Sequence, residues 1–243
     1  MTTVVISQPM YFPWPGFFEL MSLADIFVHL DDVQFADRSF TNRVQVKTST
    51  GVSWMTVPIK DRSARRLINE IEPADQSWKR KHRQMLWHAF SGAPHRAEAL
   101  EIVERTFEAE SLPALLEDSV ERLAERLRIT VPKVLISSRT MRLRSTGSER
   151  IREIVAALGG TKYVTAHGAR NYLEHETFER SGIEVEYADY SRTPYTQQHG
   201  AFTPFVTALD LIANTGDDAH RYIHPRTKPW RQFLSENPAR SAE

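Results

Sequence analysis

Two consecutive carboxylates, Asp31 and Asp32, follow the apolar run Ile26-Phe-Val-His-Leu30, and an amide, Gln8, follows the β-branched run Thr3-Val-Val-Ile-Ser7. Both runs read as short buried strands. A carboxylate at the tip of a strand can take a proton from an amine or hydroxyl nucleophile, or supply oxygen to Mg²⁺. Alternatively, Asp31 caps a turn and Asp32 is solvated. In an open α/β sheet, ligands bind beyond the carboxyl ends of the strands at a switch point. If the two strands are neighbours, Gln8, Asp31 and Asp32 face one crevice.

Other side chains could join that crevice. Asn42-Arg43 brings a planar guanidinium suited to carboxylate or phosphate, or an ion pair with Asp31 or Asp32. Tyr11 and Trp14 sit in a loop stiffened by Pro9, Pro13 and Pro15, where they form an aromatic wall for a ring or plug the top of the core. His167 falls between a strand and a helix, the usual position for a functional residue of such a sheet. Tyr195 and Gln197 follow a late strand and either line the crevice or make a turn. Asp210, inside an apolar helix, needs a buried partner, and an Arg or Tyr is expected. A basic cluster (Lys60, Arg62, Arg65, Arg66, then Lys79 to Arg83) suits a phosphate or a solvated helix face.

The elements that must position these residues alternate. Helix 16–24 follows the first strand, and strand 26–30 comes next, a spacing of βαβ size. A strand is expected at 54–58, then helices at 77–90, 98–107 and 112–127. The last has a clear 3.6-residue apolar stripe. Between 93 and 131 nine acids face five arginines, which reads as a solvated helical layer. Strand 131–137 follows, then a capping box at Thr146-Gly-Ser-Glu149 opening a helix that Gly159-Gly160 stops. Strand 163–165, helix 169–180, strand 183–187 and helix 205–215 complete the pattern. The expected fold is α/β, a mostly parallel open Rossmann-like sheet with an additional helical layer. One domain over 1–216, with a helical insertion at about 75–130, precedes a polar C-terminal tail at 217–243.

Composition narrows the function classes. Of 243 residues 41% are hydrophobic and 26% charged, and 31 basic side chains balance 31 acidic ones, without the basic excess of a general nucleic-acid coat. No window approaches a membrane span, and no secretory leader is visible at the start, so a cytoplasmic protein is expected. With no cysteine, thiolate catalysis and zinc–thiolate sites are excluded. No Walker A loop, dinucleotide fingerprint or nucleophile elbow occurs. His220 and His224 lack a zinc signature, so no metal site is assigned.

The segments Gln8-Pro9-x-Tyr11-x-Pro13-Trp14-x-Gly16, Ala24-Asp25-x-Phe27-Val28, Asp31-Asp32-Val33-Gln34-Phe35 and Asn42-Arg43 together resemble the WbqC-like family. Later pieces agree in order: Trp78 with Lys81-His82, Gly147-x-x-Arg150-Ile151, Leu158-Gly-Gly with Tyr163, Gly168 to Tyr172, Tyr195-x-Gln197, Phe202-x-Pro204 and Asp210. The family more often carries a small residue where His167 stands. The resemblance implies a role in bacterial O-antigen, surface-sugar or secondary-metabolite biosynthesis. It points to a transferase, with acyl or aminoacyl transfer to an amine of an amino sugar or small metabolite. The expected partners are a small-molecule substrate and a carrier-protein-bound or CoA-bound acyl donor, with no cofactor assigned. The resemblance also brings in His82 as an assisting proton shuttle and Gln34 as a substrate contact. Two alternatives stand beside it. One is a nucleotide-dependent nucleotidyltransferase or ligase using the same crevice; the Pro-rich loop, the Gly-started helix and Ser137-Ser138-Arg139 are similar to the nucleotidyltransferase-like fold, with Gly16-Phe-Phe-Glu19 standing where its His-x-x-His is expected. The other is a non-catalytic partner of a biosynthetic complex.

Overall fold

A computed structural model describes residues 1–61, 65–129 and 134–237. Its main sheet has six strands in the order β5-β2-β1-β6-β7-β8. These are β1 (Thr3–Ser7), β2 (Ile26–His29), β5 (Val134–Ser137), β6 (Lys162–Thr165), β7 (Glu184–Ala188) and β8 (Thr227–Pro229). The first five run parallel and only β8 is antiparallel. The apolar runs are continuous because both faces of the sheet are covered. Val5 and Phe27 face one helical layer, while Val4, Ile6 and Val28 face the other.

The first layer holds α1 (Pro15–Ser22), α2 (Ser77–Ala89), α3 (Arg96–Thr106), α4 (Leu112–Arg126) and α7 (Ala208–Thr215), and the second holds α5 (Gly147–Ala157), α6 (His175–Arg180) and α8 (Trp230–Glu236). Pro15 opens α1 because its missing N–H would be unpaired at a helix start anyway. Gly16 is required by close approach: a Cβ there would lie 2.1 Å from the Trp14 ring. In α4 the stripe Leu112, Leu115, Leu116, Val120 and Leu123 is buried, as its period demands.

Several expectations are corrected. The strand expected at 54–58 is β4 (Gly51–Thr56). It pairs antiparallel with β3 (Arg43–Thr48) in a separate hairpin. Thr48 donates to the Gly51 carbonyl at 2.7 Å, and Gly51, at φ 114°, takes a conformation few side chains tolerate. The helix expected at 169–180 is a 3-10 turn, His167–Asn171, and then α6, with a break where the Glu174 amide is held by Ser148. The capping box does not form: Thr146 makes no side-chain cap, and Glu149 turns to Arg152 three residues on. The segment expected as a polar tail carries β8 and α8. Phe233 stacks flat on Tyr187 at 4.0 Å, so its few apolar residues anchor it. Arg62, the opening of the strand expected at 131–137, and the last six residues lie outside the described residues.

Candidate active site

Parallel register sets the site. Ser7 pairs with His29, and His29 with Ser137, so β1, β2 and β5 end level with one another. Beyond that line come Gln8 on β1, Asp31 and Asp32 on β2, and Ser138 and Arg139 on β5. The chain reverses its direction of growth between β1 and β6, so these ends flank the switch point.

The two carboxylates look to opposite faces. Asp32 is fully engaged: Ser138 Oγ donates to Oδ1 at 2.5 Å and Arg150 Nη2 to Oδ2 at 2.6 Å. Both side chains of that ion pair are largely buried, so removing one partner strands a charge at a cost of roughly 3–5 kcal/mol. Asp31 is only 1% exposed yet half engaged. Ser137 Oγ donates to its Oδ1 at 2.5 Å. Its Oδ2 makes no hydrogen bond, and the nearest cation, Arg139 Nη1, stands at 3.4 Å. Arg139 is itself half-exposed and lies 3.9 Å from Glu117 of α4. A half-exposed pair of this kind contributes about 0–1 kcal/mol. Burial pushes the Glu117 carboxyl upward, partly offset by Arg139.

His29, the last residue of β2, lies close enough to Asp31 to feel its charge. It is 3% exposed, and neither ring nitrogen has a partner. Burial lowers its pKa to about 4, against the opposing pull of Asp31, so the ring is neutral at pH 7. Sequence reasoning passed over it. The signal was there: a lone histidine ending an otherwise apolar strand buried on both faces.

The remaining expected site residues scatter. Gln8 is half-buried, and its side-chain amide bonds no protein group among the described residues. Its loop is fixed by Tyr11 N–H to Phe40 O at 3.0 Å and by Ser119 Oγ donating to Met10 O at 3.2 Å. Asn42 donates to Val57 O at 3.0 Å, and its buried Oδ1 is unpaired. Arg43 does not pair with Asp31 or Asp32, which take Arg139 and Arg150; its guanidinium stacks over Trp54 at 4.0 Å. Tyr11 is no wall: it is 0% exposed in the core, with its hydroxyl 2.9 Å from His82 Nδ1. Trp14 is half-buried against Tyr190 and Phe205.

His82 bridges Tyr11 and the Thr56 carbonyl, 3.2 Å from Nε2, and burial lowers its pKa to about 4. Among the described residues no carboxylate pairs with it, so the structure places it in the core and not beside Asp31 or Asp32. Gln34 is exposed and bridges Leu67 through its backbone. His167 lies 2.8 Å from Ala188 O through Nε2, with its ring packed between Tyr190 and Phe233. Tyr195 donates to Asp210 at 2.8 Å, the partner the sequence anticipates, and Gln197 donates to Tyr195. Gln197 also accepts from Lys47 Nζ at 3.1 Å, and that buried ammonium donates to the Gly200 and Ala201 carbonyls as well. This cluster fastens a loop to the hairpin, away from the strand ends.

Two charged regions have ordinary explanations. Part of the basic cluster is spent locally, with Lys60 on Glu72, Arg66 on Asp61 and Arg83 on Glu104. A wide groove of about 510 Å³ between α3 and α4 is lined by four acids and four arginines, which neutralise one another through pairs such as Arg126 with Glu98 and Arg126 with Asp217.

The profile of the WbqC-like protein family matches residues 8–222, beginning at Gln8 and spanning every strand-end residue described above. The chain belongs to the WbqC-like protein family. Its similarity to the uncharacterized protein Rv1507c of Mycobacterium tuberculosis (strain ATCC 25618 / H37Rv) is 31% identity over 228 residues, covering 92% of this chain and 98% of that protein. No solved structure matches. Within this WbqC-like chain no described helix is long and apolar enough to cross a membrane.

Proposed function

We propose that this WbqC-like protein is a cytoplasmic biosynthetic transferase acting on small molecules. It moves an acyl or aminoacyl group from a CoA-bound or carrier-bound donor to an amine, in an O-antigen, surface-sugar or secondary-metabolite route. The observation that carries the reading is the pair His29 and Asp31: both are more than nine-tenths buried at the strand ends, and between them three polar atoms make no hydrogen bond, Asp31 Oδ2 having only the Arg139 guanidinium at 3.4 Å. Buried polar groups left unsatisfied in a folded chain call for a ligand, a water or a chemical role.

The two aspartates separate into roles. Asp32 is saturated by Ser138 and Arg150 and holds the site together. Asp31 has the oxygen to act as base. The amine nitrogen attacks the donor carbonyl carbon, the C–N bond forms, and the C–S bond to the carrier breaks with the thiolate leaving. Asp31 takes the proton the nitrogen sheds. Gln8, whose side-chain amide bonds no protein group among the described residues, has N–H donors suited to steadying the developing oxyanion. With no cysteine in the chain, transfer is direct, without a thioester on the enzyme.

The test is turnover of acyl-CoA donors with amino-sugar acceptors by the wild type, Asp31→Asn and Asp32→Asn. Loss in Asp31→Asn is expected, and equal turnover by Asp31→Asn and wild type rejects the assigned base. A nucleotide-dependent reading is favoured by the strand order, whose switch point suits a nucleotide. A thermal shift with ATP or CTP and Mg²⁺, absent with CoA esters, would select it.

A further inference from the structure

We propose that the groove between α2 and α3 docks an acidic amphipathic helix of a partner protein, with Trp87 as the central apolar contact and Arg80 and Arg96 as the charge contacts. The partner's identity as the carrier that presents the acyl donor rests on the transferase reading. The docking itself stands on shape, exposure and charge.

The groove runs between the two helices and has a volume of about 450 Å³. α2 lines it with Gln84 and Trp87, and α3 with Ala97, Leu100 and Glu104. Spacings of three, four and seven residues put each set on one face of its helix. On α2 that face lies opposite buried His82, which is bound to Tyr11 in the loop leaving β1. Trp87 is 51% exposed, and the Arg96 guanidinium stands 4.0 Å from its ring centroid. An indole this open, with Ala97 and Leu100 beside it, is a patch of the kind that marks an interaction site. Tryptophan is also the side chain most enriched among the strongest contacts of protein interfaces. A trough between two helices is shaped for a third, whose apolar face lies in it.

Charge chooses the occupant. α2 carries Lys79, Arg80, Lys81 and Arg83 and no acid. The two acids of the groove are already used: both oxygens of Glu104 accept from Arg83 Nε at 2.8 Å, and Glu101 pairs with Arg105. Lys79 is turned to the Phe107 carbonyl. Among the described residues, Arg80 and Arg96 pair with no carboxylate. Arg80 stands one turn before Gln84, on the face that lines the groove. The charge left uncommitted along this face is therefore positive, and a complementary helix is acidic around its apolar stripe. A second copy of this chain would bring the same cations and be repelled. A nucleic acid would set Ala97 and Leu100 against sugar and phosphate.

Fluorescence anisotropy with the full chain at low ionic strength tests this. The probe is a labelled helical peptide with leucines at i, i+3, i+4 and i+7 and glutamates elsewhere. Its counterpart carries lysines for the glutamates, and a labelled single-stranded oligonucleotide is the third probe. The glutamate peptide should bind at least about tenfold more tightly than either of the others. Trp87→Ala should weaken it at least about tenfold, and the pair Arg80→Glu with Arg96→Glu should reverse the preference between the peptides. All three positions lie at the surface of their helices, so melting temperatures should stay near wild type. No binding of the glutamate peptide, equal binding of both peptides, tighter binding of the oligonucleotide, or full affinity in Trp87→Ala would each overturn the proposal. Peptide binding with no acyl transfer from any donor would keep the docking face and remove the transferase reading. Transfer from CoA donors with no peptide binding would do the opposite.

Discussion

Asp31 and Asp32 are neighbours in sequence and opposites in structure. Asp32 turns toward α5, where a serine and a buried arginine use both of its oxygens. Asp31 turns toward α4, where one oxygen is taken and the other faces a half-exposed arginine and an unpartnered histidine. The split follows the partners met beyond the end of β2, with Asp31 against Ser137 and Arg139 and Asp32 against Ser138 and Arg150. A saturated carboxylate is an anchor, and an unsaturated buried one is placed to react. Charge and position in the chain do not separate the two; the accounting of partners does.

The largest expected contrast is catalytic. Asp31→Asn should lower turnover by roughly 10²–10⁴-fold, the usual contribution of a positioned base, while its melting temperature stays close to wild type. Asp32→Asn should do the reverse. If the two variants behave alike in both assays, the division of roles fails. Next comes stability measured by urea unfolding. Arg150→Ala should cost about 3 kcal/mol, because it strands a largely buried carboxylate. Arg139→Ala, at a half-exposed pair, should cost less than about 1 kcal/mol.

Acid sensitivity is of similar size. Folding depresses the pKa values of His29 and His82 from 6.5 to about 4. Between pH 6.5 and 4 the unfolded chain binds protons that the folded chain refuses. Stability from these rings is therefore full above pH 6.5 and is lost as pH falls toward 4, by roughly 3 kcal/mol per ring. Melting curves across that window should steepen accordingly, and His82→Gln should flatten them by one ring's share. The smallest effect sharpens the Asp31 side: Ser137→Ala, which removes one hydrogen bond to Asp31, should cost about 1 kcal/mol by urea unfolding.

Much of this was readable in the sequence. Continuous apolar runs marked the parallel strands, and the stripe of α4 fixed its buried face. Gln8, Asp31 and Asp32 fell at strand tips because local patterning locates strand ends. Asp210 announced its need for a partner, and Tyr195 supplies it. The cations were not readable. Arg139 and Arg150 reach Asp31 and Asp32 across more than a hundred residues, and only the β2–β5 pairing brings them near. Arg43, closer in sequence, was the natural guess, but the hairpin carries it onto Trp54. Thr146 and Glu149 matched a capping pattern, yet Arg152 offered Glu149 a better partner. His82 and Tyr11 carry chemically versatile groups whose mutual hydrogen bond retires them to the core.

The carboxylate of Glu19, buried in α1, accepts from the backbone and hydroxyl of Ser191 and from the backbone of His224. One side chain near the start of the chain thus staples two stretches close to its end. A shortened protein stopping at residue 216 would be cut at the first residue of the 3-10 turn Gly216–Tyr222, and would leave β7 with a bare edge where β8 had paired. Glu19 would lose its His224 donor as well. Anyone trimming this protein for crystals or for expression should keep the last strand and helix, because β7 pairs with the one and Tyr187 stacks on Phe233 of the other.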